Sequence, residues 1–224
     1  MSLLDDIKAH REKEQAHWTQ KCKVFDEAVM KETIKRNAKE QNLLQTMKAV
    51  EFARILHGTQ KRSTDVEEVA YINHPYTLAC HALAMKIYDD DLIASLLLHD
   101  VAEDCIADVP DLPAGDKVKH TVDLVTFTRE EGELKAAAKK RYYERMDGDA
   151  YAMMVKILDR CNNISCMAFG FDKVKTVSYI IETEKYIYPM YDKIKELKPE
   201  WTEAVWLIEY QTVSVVESAK RYIR

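Results

Sequence analysis

The sequence predicts an all-α fold, a helical bundle, and three observations carry that reading. Only 5 Gly and 5 Pro occur among 224 residues, well below the average usage of roughly 7% and 5%. Apolar residues recur at the helical period, as Leu44, Met47, Val50 and Ala53 do. No alternation of apolar and polar residues lasts long enough for a sizeable strand. A chain of this length buries an adequate core without cross-links, so one principal domain is expected.

The elements follow in order. Residues 1–43 are dense in charge and in good helix formers but sparse in apolar side chains, which reads as a charged helical extension: one or two surface helices, or a partner-binding segment. The helical rhythm strengthens from "NLLQTMKAVEFARILHGT", so the principal domain is expected over 44–195. A polar loop, "QKRSTDVEEVAYIN", leads to His74-Pro75, where proline suits the first turn of a helix. Helices are then expected over about 76–87 and 91–104, with a Pro- and Gly-containing loop, "CIADVPDLPAGDK", behind them. Shorter helices should cover about 116–128 and 133–146, and the apolar run "AYAMMVKILDRCNNISCMAF" another. Two more, near 172–195 with a kink at Pro189 and near 200–222, complete the chain, with 196–224 packed as a C-terminal helix on the same domain.

Composition narrows the function classes. A net charge of -5, from 33 basic and 38 acidic residues, provides no broad cationic face for a nucleic-acid backbone. The 5 cysteines show no CxxC pair, so neither a disulfide framework nor a zinc knuckle is expected. No apolar run reaches the ~20 residues that span a bilayer, and "MSLLDDIKAHREKEQ" lacks the apolar middle of a signal peptide. A soluble cytoplasmic protein is expected.

One stretch poses a chemical question. In "SLLLHDVAED" the apolar helix of Leu92, Ile93, Leu96 and Leu97 runs directly into His99, Asp100, Glu103 and Asp104, although charge on a buried face is costly unless something answers it. Further on, Lys156, Asp159, Arg160 and Asn163 interrupt a second apolar helix in the same way. A divalent cation resolves both, since its charge replaces what water would have supplied. His74, His99, Asp100 and Asp159 would make a two-His, two-Asp site suited to manganese or a related transition metal. Taken singly, each residue has an ordinary reading: His74 as a helix cap, Asp159-Arg160 as a surface pair, Glu103 and Asp104 as a solvated last turn. The ordered combination argues against chance.

At these residues the sequence resembles the HD-domain phosphohydrolases. Within them it is most similar to the alarmone hydrolases, which comprise the hydrolase domain of the Rel/Spo stringent-response enzymes and their stand-alone small relatives. That family carries H-x-G-Q-x-R-K, Y-I-x-H-P, L-L-H-D-x-x-E-D and K-x-A-D-R-x-x-N. The corresponding stretches are "HGTQKRS", "AYINHP", "LLLHDVAED" and "KILDRCNN", within a span of about 44 to 190. The resemblance implies an all-α HD-domain helical bundle and a stand-alone enzyme that removes the 3′-pyrophosphate of guanosine tetra- or pentaphosphate with one manganese ion. It implies His74, His99, Asp100 and Asp159 as metal ligands, and Glu103 and Asp104 as the acids that orient and deprotonate the attacking water. Arg62 matches the arginine that flanks the base, while Lys156, Arg160 and Asn163 match positions that line the nucleotide pocket or support the ligands. His57 matches a structural histidine.

The chain departs from the pattern in three places. Ser63 stands where the family has a lysine beside the base, "NNISC" replaces H-N-M-R-T, and the loop between Arg62 and His74 is longer and acidic. These changes fall on the nucleotide side of the site and keep two alternatives open. One is a phosphatase or pyrophosphohydrolase for another nucleotide, such as the 2′-phosphate of NADPH. The other is a catalytically idle nucleotide sensor. In each case the expected ligand is a small nucleotide, with no nucleic acid and no membrane, and a homo-oligomer could form through the N-terminal helices.

Overall fold

The computed structural model describes residues 26–62, 69–105, 109–167 and 170–223. Most of the N-terminal extension and Ser63 lie outside these residues. The architecture is all-α, with one minimal sheet among the described residues. Helix α1 (Glu27–Glu40) is capped by Asp26, whose carboxylate accepts from the Val29 N–H. It is mostly polar, but it sets Ile34 and Ala38 into the main core.

Helix α2 (Leu44–Leu56) has no side-chain cap of its own. Asp90 provides one from another helix, accepting from the Gln45 and Thr46 N–H groups at 2.9 and 2.8 Å and placing its charge at the positive end of α2. The segment expected to be a polar loop contains a two-residue antiparallel ladder, β1 (Lys61–Arg62) with β2 (Val69–Ala70). Pairing of that length leaves no periodicity for a sequence pattern to show.

Helix α3 (Asn73–Ala84) starts three residues earlier than its apolar rhythm suggests. Helix α4 (Asp90–Leu98) is the centre of the bundle: Leu92, Ile93, Leu96, Leu97 and Leu98 have no exposed surface. Each such burial stabilises by about 1.5–3 kcal/mol, which anchors whatever follows the helix. The helix does not continue to 104 as expected. It breaks into a turn at His99-Asp100 and resumes as the short α5 (Val101–Asp104).

Helices α6 (Asp116–Val125) and α7 (Lys135–Arg145) follow. Gly148, at φ 86, turns the chain into α8 (Ala150–Ser165), a left-handed conformation that favours glycine. Asp149 caps α8 by accepting from the Ala152 N–H at 2.8 Å. Helix α8 is buried along nearly its whole length, with Asp159 and Arg160 included.

The expected long helix near 172–195 is two helices, α9 (Lys173–Glu182) and α10 (Tyr188–Leu197), joined by a π-helical turn over Thr183–Ile187. In that turn the Tyr188 N–H donates to the Thr183 carbonyl. Pro189 at the start of α10 has no N–H to continue an α-helical ladder, so the disturbance lies in the turn before it rather than at the proline. Helix α11 (Thr202–Ile223) closes the bundle, and its Val216 joins Ile164, Met167 and Ile180 in a second, smaller core.

Candidate active site

The residues singled out in the sequence meet at one end of α4. His74 lies in the first turn of α3, His99 and Asp100 in the break after α4, and Asp159 inside α8. His74 and His99 are 1% and 4% exposed, and Asp159 8%. One donor atom from each of His74, His99 and Asp159 lies within 4.8 Å of the others. Asp100 is not part of that close trio, but its Oδ2 is 3.5 Å from His74 Nε2 and 3.1 Å from His99 Nε2.

Hydrogen bonding orients these groups. His99 Nδ1 donates to the Leu96 carbonyl at 2.9 Å, and since a carbonyl only accepts, the proton is on Nδ1 and the Nε2 lone pair faces the carboxylates. His74 does the same through Nδ1 to the Asn162 Oδ1 at 2.8 Å. With that proton committed to Nδ1, the buried His99 Nε2 lone pair lies 3.1 Å from Asp100 Oδ2, which is repulsive unless a proton or a metal cation stands between the two. Burial alone would pull the His99 pKa down, yet the charges of Asp100 and then Asp159 outweigh it and push it up to about 9. The cluster therefore calls for positive charge at this point. Two imidazole nitrogens with their second nitrogens anchored, together with two carboxylates, form a donor set that fits a divalent transition metal.

Asp159 is held on both oxygens. Asn163 Nδ2 donates to its Oδ1 at 2.5 Å, and Lys156 Nζ to its Oδ2 at 2.8 Å. Burial would raise the Asp159 pKa, but Lys156 and His74 hold it well below the ordinary range. Asp100 accepts from the Tyr71 hydroxyl at 2.6 Å.

The segment before the ladder holds the other half of the site. Gln60 Nε2 donates to the Asp104 carbonyl at 2.6 Å, while its Oε1 accepts from His57 Nδ1 at 2.7 Å. The His57 ring packs 4.9 Å from the Tyr71 ring. Thus the "HGTQ" stretch clamps α5, on which Glu103 and Asp104 ride. Glu103 accepts from the Phe127 N–H at 3.0 Å. The packed surroundings push its pKa up; that hydrogen bond opposes the rise and the Asp100 charge adds to it. Gln60→Ala is expected to leave the metal ligands untouched but loosen α5, lowering turnover about 10-fold, the scale seen for removing an outer supporting bond. Steady-state kinetics beside metal content checks it.

These groups open on a cavity of about 360 Å³. Lys156, Arg160 and Asn163 line it, as do Glu103 and Asp104. Arg62 is placed in β1 by its backbone. The far wall was not foreseen from the sequence: Lys135 and Lys139 of α7, Tyr142, Tyr143, Tyr179 and Glu182. Glu182 accepts from Arg160 Nη2 at 2.6 Å and from the Tyr143 hydroxyl at 2.7 Å, and also pairs with Lys139. The Arg160 guanidinium lies 4.1 Å over the Tyr179 ring, and its Nε and Nη1 have no hydrogen-bond partner among the described residues. Gln60, in the quoted "HGTQKRS", and Tyr71, in the quoted "AYINHP", are the missed residues with a signal within a recognised motif. Among the described residues no helix is long and apolar enough to cross a membrane.

No protein-family model matches the chain, and no curated protein sequence matches it. A solved structure described as a metazoan ortholog of SpoT that hydrolyzes ppGpp and plays a role in starvation responses is similar in fold. Its TM-score is 0.62 over 79% of this chain and 96% of that chain, at 22% sequence identity. At that identity the likeness establishes the fold, and the expected all-α HD-domain bundle is the fold observed.

Proposed function

We propose that this chain is a metal-dependent pyrophosphohydrolase that removes the 3′-pyrophosphate of guanosine 3′,5′-bis(diphosphate), leaving GDP, or GTP from the pentaphosphate. The observation that carries the reading is the meeting of His74, His99, Asp100 and Asp159 at the rim of a cavity that Glu103 and Asp104 also line. The shared fold with a structure described as hydrolyzing ppGpp supports it.

The four ligand residues would hold one manganese ion or a related divalent transition metal, which mixed imidazole and carboxylate donors suit. Bound there, it supplies Lewis acidity that makes water a competent nucleophile near neutral pH and screens diphosphate charge. Glu103 and Asp104 then orient the attacking water and accept its proton. Lys156 and Arg160, with Lys135 and Lys139 beyond them, set cations along the cavity for the phosphate oxygens. Arg62 and Ser63 are assigned to the base side. In this proposal the enzyme works in the cytoplasm on a small nucleotide, and the N-terminal helices offer a homo-oligomer contact.

The test is incubation with manganese and ppGpp, followed by product analysis. Equal release of pyrophosphate and GDP is expected. Release of orthophosphate from NADPH with ppGpp left intact would overturn the substrate and keep the metal phosphohydrolase chemistry. Glu103→Gln is expected to lower kcat by about 10²–10⁴-fold, the usual worth of a positioned proton acceptor, with metal content unchanged by elemental analysis.

A further inference from the structure

A second cavity, of about 260 Å³, lies on the other side of Tyr143 from the catalytic one. Tyr143 lines both, and its hydroxyl faces the catalytic side, where it contacts Arg160 and Glu182. On the second side its ring stacks on Tyr186 with centroids 4.3 Å apart and planes 8° from parallel. Tyr186 and the neighbouring Lys185 are placed there by the π-helical turn, a distortion that recurs at functional sites.

The floor and the rim differ in chemistry. Met153, Met190 and Pro189 give the floor, and methionine thioethers make favourable contacts with aromatic rings. Lysines from three elements stand at the rim, Lys140 of α7, Lys185 of the π turn and Lys193 of α10. Two are answered: Lys140 pairs with Glu144, and Lys193 with Asp147 at 2.5 Å. Lys185 has only the Tyr186 ring, 4.8 Å from its ammonium, and no carboxylate pairs with it among the described residues. The lining thus carries one cation in excess over an apolar, sulfur-rich floor.

We propose that this cavity is a second ligand site, for a small aromatic molecule with a single negative charge, backing onto the catalytic cavity through Tyr143. The ring of such a ligand rests on the methionines beside Tyr186, and its acidic group meets Lys185. Neither metal nor turnover is needed for binding, so the site stands independently of the hydrolase reading.

The test uses the full chain labelled with 13C at its methionine methyls and naphthalene-2-sulfonate as the probe. Met153 and Met190 line this cavity, whereas no methionine lines the catalytic one, so the methyl spectrum separates the two. Saturable shifts confined to Met153 and Met190 are expected, assigned through Met190→Leu. Lys185→Glu should weaken binding about 10-fold, as a charge pair turns from attraction to repulsion, and Lys185→Arg should restore it. Unmoved Met153 and Met190 methyls at millimolar probe, or equal affinity in the Lys185→Glu chain, would overturn the proposal.

Discussion

His99→Ala is expected to abolish metal retention and to cut turnover by about 10³-fold or more, since an ion that contributes several kcal/mol to the barrier is lost. The expectation follows from how His99 is held. It sits 4% exposed at the end of a helix whose leucines have no exposed surface, with Nδ1 fixed on a backbone carbonyl, so its Nε2 is held toward the carboxylates. The remaining His74, Asp100 and Asp159 would face one another with a donor short and with the charge of both carboxylates intact. Elemental analysis after gel filtration, circular dichroism to confirm the helices and a product assay together decide it. A folded variant that keeps stoichiometric metal would remove the basis of the site assignment.

The second large effect is on stability. Glu182→Gln leaves the Arg160 guanidinium buried beside a neutral amide, and breaking one partner out of a buried pair costs about 3–5 kcal/mol. For a chain of this size that is a drop of about 6–20 °C in Tm. Burial would raise the Glu182 pKa, but Arg160, with Lys139 and Tyr143, outweighs it and pulls it from 4.5 down to about 2. A carboxylate depressed in the folded state stabilises fully above its unfolded value and loses that contribution as pH falls. The window therefore runs from about 4.5 down to about 2, and the amount is about 3 kcal/mol at 1.36 kcal/mol per unit. Thermal melts at pH 7 and pH 3 should show the two proteins well apart at the first and converging at the second. Melting curves separated equally at both would show that the pair carries no such linkage.

The residues most readable in the sequence were those that broke a rule. His99, Asp100 and Asp159 stand on faces that the helical rhythm marks as apolar, and that conflict points to a shared answer. His74 was readable through its proline and its order in the motif. Lys135, Lys139, Tyr143 and Glu182 break no local pattern: they sit at ordinary helix positions and become a wall only where side chains of α7, α8 and α9 meet around Glu182. Gln60 and Tyr71 were present in quoted motifs, yet their work depends on α5 ending beside them, which the apolar pattern of 91–104 hides by reading as one continuous helix. The break at His99-Asp100 has no proline or glycine to announce it.

The turn over Thr183–Ile187 has a consequence for how this protein can change over generations. A π turn carries one more residue than the α-helical turn it replaces, so removing a single residue there would restore a regular helix and leave everything beyond it on the same face. Met190, Tyr191 and Ile194, which now face inward, would keep that direction. Descendants of this chain can shed that one residue and keep the helix beyond in place, whereas a second deletion would rotate it by about 100° and carry its inward side chains away from the core.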